Sequence, residues 1–336
     1  MNFRALGAAG PLLSEIGLGC SQLGRPLVQR APADWIRLLH RSFDLGVNFY
    51  DTAGVYRHGM SERLLGQAFG DRRDKVVICT KAGSLSSPLG GLLEALPTPL
   101  QYLRRGLNNA RPAKAGGGAH RQDFSPNALT RSVEASLRRL NTDRVDVLLF
   151  HSPPPEALEN EESLRAMERL TEAGKVGCLG VSAESLDVAC RALALPKISV
   201  LQISYSLLEP EAGESVIRQA CGRGVGVIAR LVLGRGLLTP KRALSTGPRS
   251  LEGKDPARLT KIAEEMAMLA DKFGRTLTET AILFALSQRG VTSALIGTNR
   301  PSHLDENISA VSAPPLSPDE LRQIGDLLAI NSSGPA

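Results

Sequence analysis

The 336-residue chain has few aromatic side chains and no long apolar stretch. Phe, Trp and Tyr make up only 4% of its residues, which leaves little for stacking on nucleic-acid bases. No uninterrupted apolar stretch approaches the ~20 residues that a membrane-spanning helix needs. The N-terminus lacks a basic start followed by an apolar block, so we expect no signal peptide. These absences argue against nucleic acid and membranes as partners.

The five cysteines are odd in number and form no Cys-x-x-Cys pair. Histidines and cysteines do not cluster at the spacing of metal ligands, so we expect no metal site. Three of the cysteines lie in apolar, strand-like runs, which is typical of buried thiols in a reducing cytosol. The sequence therefore predicts a cytoplasmic protein with buried, free thiols.

The charge balance is mildly basic, with 40 Lys and Arg against 34 Asp and Glu and a net charge of +6. Much of the excess lies in residues 82–125, whose cationic side chains are Arg104, Arg105, Arg111, Lys114 and Arg121. This basic cluster is either a solvated surface or a means of attracting an acidic substrate. His120, after three glycines, either stays solvated or reaches substrate when a lid closes.

Short apolar runs alternate with helical patterns along the chain. Eight of these runs have the length and composition of strands covered on both faces. They are residues 15–20, 47–52, 76–81, 145–151, 176–182, 200–205, 225–231 and 294–298. Eight such strands favour a (β/α)₈ TIM barrel over a doubly wound sheet. The segment after Gly17-Leu18-Gly19 also lacks the remaining glycine of the dinucleotide fingerprint that a doubly wound sheet would carry.

Two connections between the predicted strands are long. Residues 82–125 form a Gly/Pro/Arg-rich insertion, which predicts an extended loop after strand 3. Residues 239–292 hold an additional helical segment before strand 8, with helices over about 256–273 and 276–289. Because no linker divides the sequence, we expect a single barrel domain over residues 1–336.

Four reactive side chains follow the predicted strands. Asp51, Lys81 and His151 end strands two, three and four, and Tyr56 lies just beyond Asp51. In a barrel the carboxyl ends of the strands meet at one mouth. A lysine ammonium beside a tyrosine favours phenolate and lowers the tyrosine pKa, while a histidine can orient a carbonyl oxygen. The set is suited to giving a proton to a carbonyl while a cofactor supplies hydride.

Several blocks of the sequence, in order, resemble the aldo-keto reductase superfamily. They are FRALGAAGPLLSEIGLGCSQLG, FDLGVNFYDTAGVYRHGMSERLLGQAF, VVICTKAG, SLRRLNTDRVDVLLFHSPP, GKVGCLGVSAES, LQISYSLLEPE, IARLVLGRGLLT and SALIGTNRPSHLDENISA. The resemblance covers nearly the whole chain except residues 82–125 and parts of 239–258. It implies a (β/α)₈ barrel that binds a nicotinamide cofactor without a Rossmann motif.

The resemblance also assigns roles to the four strand-end residues. Tyr56 would be the general acid when a carbonyl is reduced, and Lys81 with Asp51 would tune it. His151 would orient the carbonyl, and hydride would come from the nicotinamide C4. The implied activity is NAD(P)-dependent reduction of an aldehyde or ketone to an alcohol, or the reverse.

The resemblance places the nicotinamide end of the cofactor against strands five to seven. Ser182 and Gln202 match positions that hydrogen-bond the nicotinamide carboxamide. Ala183 stands where the family commonly has asparagine. Arg230 occupies a position often filled by an aromatic that stacks on the nicotinamide ring.

The adenosine end would lie against the segment after strand eight. The residues assigned to it are Gly297, Thr298, Arg300, His303 and Asn307. A guanidinium suits a 2′-phosphate, so Arg300 favours NADP(H) over NAD(H). The family's basic residue is often one place earlier, where this chain has an asparagine.

Two other classes of protein compete with the reductase. A cofactor-binding regulatory barrel with little or no turnover is one, although all four tetrad positions are filled here. A short-chain dehydrogenase also pairs tyrosine with lysine, but in a Tyr-x-x-x-Lys motif, whereas Tyr56 and Lys81 lie on successive βα units. The expected partner is a small carbonyl or alcohol substrate. The substrate's identity, the direction of the reaction and the oligomeric state stay open.

Overall fold

Twelve short strands lie in the residues that the structure describes. This computed structural model describes residues 1–24, 31–85, 121–240 and 255–332. In chain order the strands are β1 (Phe3–Ala5), β2 (Leu12–Ser14), β3 (Ile16–Gly19), β4 (Phe49–Asp51), β5 (Val77–Ala82), β6 (Ser84–Leu85), β7 (Arg121–Gln122), β8 (Val145–His151), β9 (Val176–Ser182), β10 (Val200–Ser204), β11 (Gly226–Arg230) and β12 (Val291–Ile296).

Eight of these strands close into a parallel barrel, in the order β3-β4-β5-β8-β9-β10-β11-β12. The last strand pairs with the first, with Ala294 opposite Ile16, so the described strands of the barrel leave no open edge. The predicted (β/α)₈ barrel is confirmed. The prediction for β12 was shifted, because that strand starts at Val291 rather than at residue 294.

Helices lie between the barrel strands and cover them. The α-helices of the described residues are α1 (Pro32–Asp44), α2 (Met60–Phe69), α3 (Pro126–Leu140), α4 (Pro155–Glu159), α5 (Glu161–Glu172), α6 (Leu186–Ala194), α7 (Arg218–Gly222), α8 (Pro256–Lys272), α9 (Leu277–Ser287), α10 (Pro301–Ser309) and α11 (Pro318–Ser332). None of these helices is both long enough and apolar enough to cross a membrane.

The barrel interior is filled by alternate residues of the strands and closed at its amino-terminal end. Phe49 and Leu149 are fully buried inside it. The β1–β2 hairpin brings Leu6 and Leu13 into the same apolar cluster, so the hairpin plugs this end of the barrel. The plug leaves the opposite end, where the strands finish, as the open mouth.

The additional helical segment before the last barrel strand is present as predicted. Helices α8 and α9 lie between β11 and β12 and pack with α11 around a second apolar cluster that includes Leu259, Met266 and Ile324. This cluster also contains Leu208 and Leu238 from loops that follow barrel strands. The extra helices therefore support the loops at the barrel mouth.

The two ends of the predicted insertion meet in a small antiparallel hairpin that the sequence did not predict. Its strands are β6 and β7, with Ser84 opposite Gln122. Strands of two residues are too short to show an alternating pattern. The expectations for Arg104, Arg105, Arg111, Lys114 and His120 lie outside the described residues.

Candidate active site

Three of the four predicted catalytic side chains come from the carboxyl ends of neighbouring barrel strands. Asp51 is the last residue of β4, His151 is the last of β8, and Lys81 is followed in β5 by one more residue, Ala82. Tyr56 begins a short 3₁₀ turn between β4 and α2. The barrel register therefore brings these side chains to one mouth.

Lys81 is the centre of the cluster. Its Nζ lies 2.7 Å from both carboxylate oxygens of Asp51 and 2.9 Å from the carbonyl oxygen of Thr52. It also lies 3.3 Å from the hydroxyl of Tyr56. Lys81 and Asp51 are 3% and 5% exposed, so the pair is held away from water. The ammonium is thus anchored by a carboxylate and directed at a phenol.

The pKa values of Lys81 and Tyr56 follow from burial and from neighbouring charges. Burial is the largest single effect and would lower the pKa of Lys81, but Asp51, Tyr56 and Cys79 together raise that pKa above the usual value. For Tyr56, burial raises the pKa more than the Lys81 ammonium lowers it. Lys81 lowers the Tyr56 pKa as expected, but burial is the larger effect, so the pKa is raised on balance. Tyr56 stays protonated at neutral pH.

The imidazole of His151 lies beside the phenol. The two rings meet edge to face, with centroids 5.9 Å apart and an interplanar angle of 86°. Both residues are partly exposed at the mouth, unlike Lys81 beneath them. A small molecule that enters the mouth can therefore meet an acidic hydroxyl and an imidazole together.

Ser182 and Gln202 continue the cluster on the far side of Asp51. The Ser182 hydroxyl donates to Gln202 Oε1 at 2.9 Å, and Gln202 Nε2 donates to Asp51 Oδ1 at 2.8 Å. Both side chains are buried. The Gln202–Asp51 bond could not be inferred from the sequence, because its ends are 151 positions apart. The residues assigned to the nicotinamide carboxamide are thus joined to the catalytic candidates.

Arg230 reaches across the mouth from the end of β11 to the end of β9. Its Nη2 donates to the carbonyl oxygen of Ala183 and to Glu184 Oε2, both at 3.0 Å. The Ser152 hydroxyl donates to the other oxygen of Glu184 at 2.8 Å. Glu184 and Ser152 were not predicted as site residues. Their position was the available signal: Ser152 is one residue after the end of β8, and Glu184 is two residues after the end of β9.

The residues predicted for the adenosine end lie after β12. The Arg300 amide donates to the Thr298 hydroxyl at 3.1 Å, and Arg300 caps the amino end of α10 with its side chain exposed. His303 is partly exposed and Asn307 is buried, while Gly297 is exposed. A helix amino end with an exposed guanidinium nearby suits a phosphate group.

A buried ion pair supports the loop that carries Tyr56. Glu62 is fully buried, and its two carboxylate oxygens accept hydrogen bonds from Thr80 Oγ1 and Arg139 Nε, both at 2.6 Å. Arg139 packs closely against Gly54, where an added Cβ would lie 2.8 Å from Nη2. Thr80 precedes Lys81 directly, so the pair ties the Tyr56 loop to β5. This pair was not predicted from the sequence.

The cysteines are all free thiols, but they are not all buried. Cys20 and Cys79 are buried, and burial raises the pKa of each thiol. Cys190 and Cys221 are exposed on helices, so the expectation of generally buried thiols was too broad. Cys20 lies in the apolar core, where its thiol donates a hydrogen bond to the Leu18 carbonyl oxygen.

The residues present fit a nicotinamide dinucleotide. Arg230 Nε is a buried donor that has no hydrogen-bond partner among the described residues. It lies on the strand-end arc that also carries Ser182 and Gln202. A buried donor without an acceptor is costly, so a ligand oxygen at this place would satisfy it. Arg300, at the start of α10, adds an exposed guanidinium that suits a phosphate of such a molecule.

Known proteins resemble this chain over almost its full length. The model of the aldo/keto reductase family matches residues 15–329. L-galactose dehydrogenase of Arabidopsis thaliana is 26% identical, covering 93% of this chain and 88% of the relative. D-threo-aldose 1-dehydrogenase of a Pseudomonas species is 28% identical, covering 90% of this chain and 91% of the relative.

Solved structures resemble it as well. An aldo-keto reductase from Bacillus halodurans in its holo form superposes with a TM-score of 0.77 at 26% identity, covering 97% of this chain and 96% of the other. The glycerol dehydrogenase of Gluconobacter oxydans superposes with a TM-score of 0.76 at 25% identity, covering 99% and 97% of the two chains.

Proposed function

Since the chain belongs to the aldo/keto reductase family, it is an oxidoreductase that acts on carbonyl or CH–OH groups, and we propose that Tyr56 is its general acid. The observation that carries the proposal is the 3.3 Å approach of Lys81 Nζ to the Tyr56 hydroxyl, with Lys81 anchored on Asp51. The family uses nicotinamide cofactors, and the reduced nicotinamide supplies a hydride when bound.

The four side chains at the mouth transfer the proton and orient the substrate. Tyr56 gives its proton to the substrate oxygen, and the nearby Lys81 ammonium stabilises the phenolate that this leaves. Asp51 keeps Lys81 charged and in place. His151 hydrogen-bonds the substrate oxygen and orients it toward Tyr56. Run in reverse, the phenolate takes the proton of an alcohol.

Replacing Tyr56 with phenylalanine tests the role of the hydroxyl. We expect Tyr56→Phe to lower kcat by about 10²–10⁴-fold, the usual contribution of a positioned acid. Binding of the dinucleotide, followed by its fluorescence, should stay near the wild-type value. Tyr50→Phe is the matched control, since it removes a buried hydroxyl that bonds Ser42 and Val47 away from the mouth. Unchanged kcat in Tyr56→Phe would disprove the assignment.

The preferred cofactor is proposed to be NADP(H), with Arg300 beside the 2′-phosphate. Arg300→Ala should weaken the binding of NADPH by tenfold or more, which is ~1.4 kcal/mol, and leave the affinity for NADH unchanged. Arg289→Ala removes an exposed arginine that precedes β12, at the opposite end of the strand, and serves as the control. Equal binding of NADPH and NADH by the wild type would refute the preference.

The substrate is proposed to be a small carbonyl or alcohol, and sugars and polyols are the first to test. Relatives and neighbours are named for L-galactose, an aldose and glycerol. Turnover of any of these would exclude the regulatory barrel without activity.

The free thiols favour a reducing, cytoplasmic setting. The chain is proposed to be one barrel domain over residues 1–336 with an insertion at 82–125.

A further inference from the structure

A chain of polar contacts crosses the barrel mouth from β8 to β11. It starts at the Ser152 hydroxyl, passes through the carboxylate of Glu184 and ends on the guanidinium of Arg230. Ser152 has a φ of 50°, a left-handed backbone that non-glycine residues seldom adopt. The three residues lie at or just after the ends of three different barrel strands, so their contacts join these strand ends across the mouth.

Glu184 holds only part of the guanidinium. Its contact and that of the Ala183 carbonyl both fall on Arg230 Nη2. Arg230 Nε is a buried donor with no partner among the described residues. The arginine is therefore fixed at its tip while an inner donor stays available.

A second unsatisfied group lies on the neighbouring strand, at the residue paired with Arg230. Ser204 is the registered partner of Arg230 on β10, and its buried Oγ also has no partner in the described part of the chain. Ser204 follows Gln202 by two residues, so both side chains point to the same face of β10. Two neighbouring strands thus present unsatisfied polar atoms toward the place assigned to the nicotinamide carboxamide.

We propose that Glu184 and Ser152 are positioning residues that hold Arg230 so that its Nε binds the carboxamide oxygen of the nicotinamide ring, beside Ser204. The proposal rests on the proposed function. A carboxamide oxygen is an acceptor, and Arg230 Nε is a charged donor that needs one. The carboxylate of Glu184 accepts from both neighbours at once. Burial alone would raise its pKa, but Arg230 and Ser152 lower it below the usual value, so it stays ionised.

The test compares the dinucleotide with a fragment that lacks the nicotinamide ring. Calorimetry would measure binding of NADP⁺, or of NAD⁺ if the wild type prefers it, and of the matching ADP-ribose. Glu184→Gln should lower the affinity for the dinucleotide by about tenfold and change the affinity for the ADP-ribose by less than about twofold. Asp187→Asn is the matched control, because it removes a nearby carboxylate whose partner is Arg191.

The double variant separates positioning from a general structural effect. In the Arg230→Met background, Glu184→Gln should have no further effect on dinucleotide affinity, since there is no guanidinium left to hold. Equal loss for the dinucleotide and the ADP-ribose, or additive losses in the double variant, would overturn the proposal while leaving the reductase assignment intact. A wild type that binds neither dinucleotide would overturn the proposed function, and this inference with it.

Discussion

The buried Glu62–Arg139 pair gives a prediction whose size follows from its burial. The Glu62 side chain is fully buried and that of Arg139 is 20% exposed, with 2.6 Å between Oε2 and Nε. Arg139→Met leaves a carboxylate in the interior whose remaining hydrogen-bond partner among the described residues is the Thr80 hydroxyl. Removing one partner of a buried pair costs about 3–5 kcal/mol, so we expect a loss of that size.

The same pair should tolerate loss of both charges far better than loss of one. In the double variant Glu62→Met/Arg139→Met no charge is left without a partner, and packed apolar side chains often match a buried ion pair in stability. We therefore expect the double variant to recover most of the loss. Urea unfolding of the wild type, both single variants and the double variant gives the coupling free energy directly.

An exposed pair provides the comparison. Arg165 and Glu161 form an i, i+4 contact with side chains that are 67% and 78% exposed. The same cycle on this pair should give a coupling under about 0.5 kcal/mol. Stability losses of the Glu62 and Arg139 single variants that add to within about 0.5 kcal/mol would refute this prediction, because burial would then give the pair no coupling.

Two further predictions concern packing and thiols. Gly180→Ala should destabilise the protein by about 1–3 kcal/mol, because a Cβ there would overlap the Val200 carbonyl oxygen. Gly222→Ala, with open space around it, should stay within about 0.5 kcal/mol in the same unfolding assay, and equal losses would contradict this. A thiol reagent followed by mass spectrometry should modify exposed Cys190 in the native protein and buried Cys79 only after unfolding. Native labelling of Cys79 would contradict the burial.

The barrel strands were predictable because both of their faces are covered by apolar neighbours. The shift in β12 has a clear cause, since its first half contains Thr292 and Ser293, which are polar but buried. The Ser293 hydroxyl donates to the carbonyl oxygen of Ser14, and that of Thr292 to Ala5. Hydrogen bonds to the N-terminal hairpin thus allow these polar residues to be buried in β12, although a search for apolar runs does not include them.

The catalytic candidates were predictable because they occupy strand ends, and strand ends follow from the fold and from the family resemblance. The supporting residues were not. Glu62 meets Arg139 across 77 positions, and Glu184 meets Arg230 across 46. A single charged residue in a loop or helix is normally solvated, so only the folded structure shows which charges pair with one another.

The raised pKa of Tyr56 fits its proposed role, although the lowering effect of Lys81 was the only influence inferred from the sequence. A group that must give up a proton has to carry it at neutral pH, and burial ensures this. The Lys81 ammonium at 3.3 Å then matters mainly after the proton has left, when the phenolate needs a counter-charge. Since Asp51 keeps Lys81 charged, the cluster favours the protonated acid before the reaction and stabilises its conjugate base afterwards.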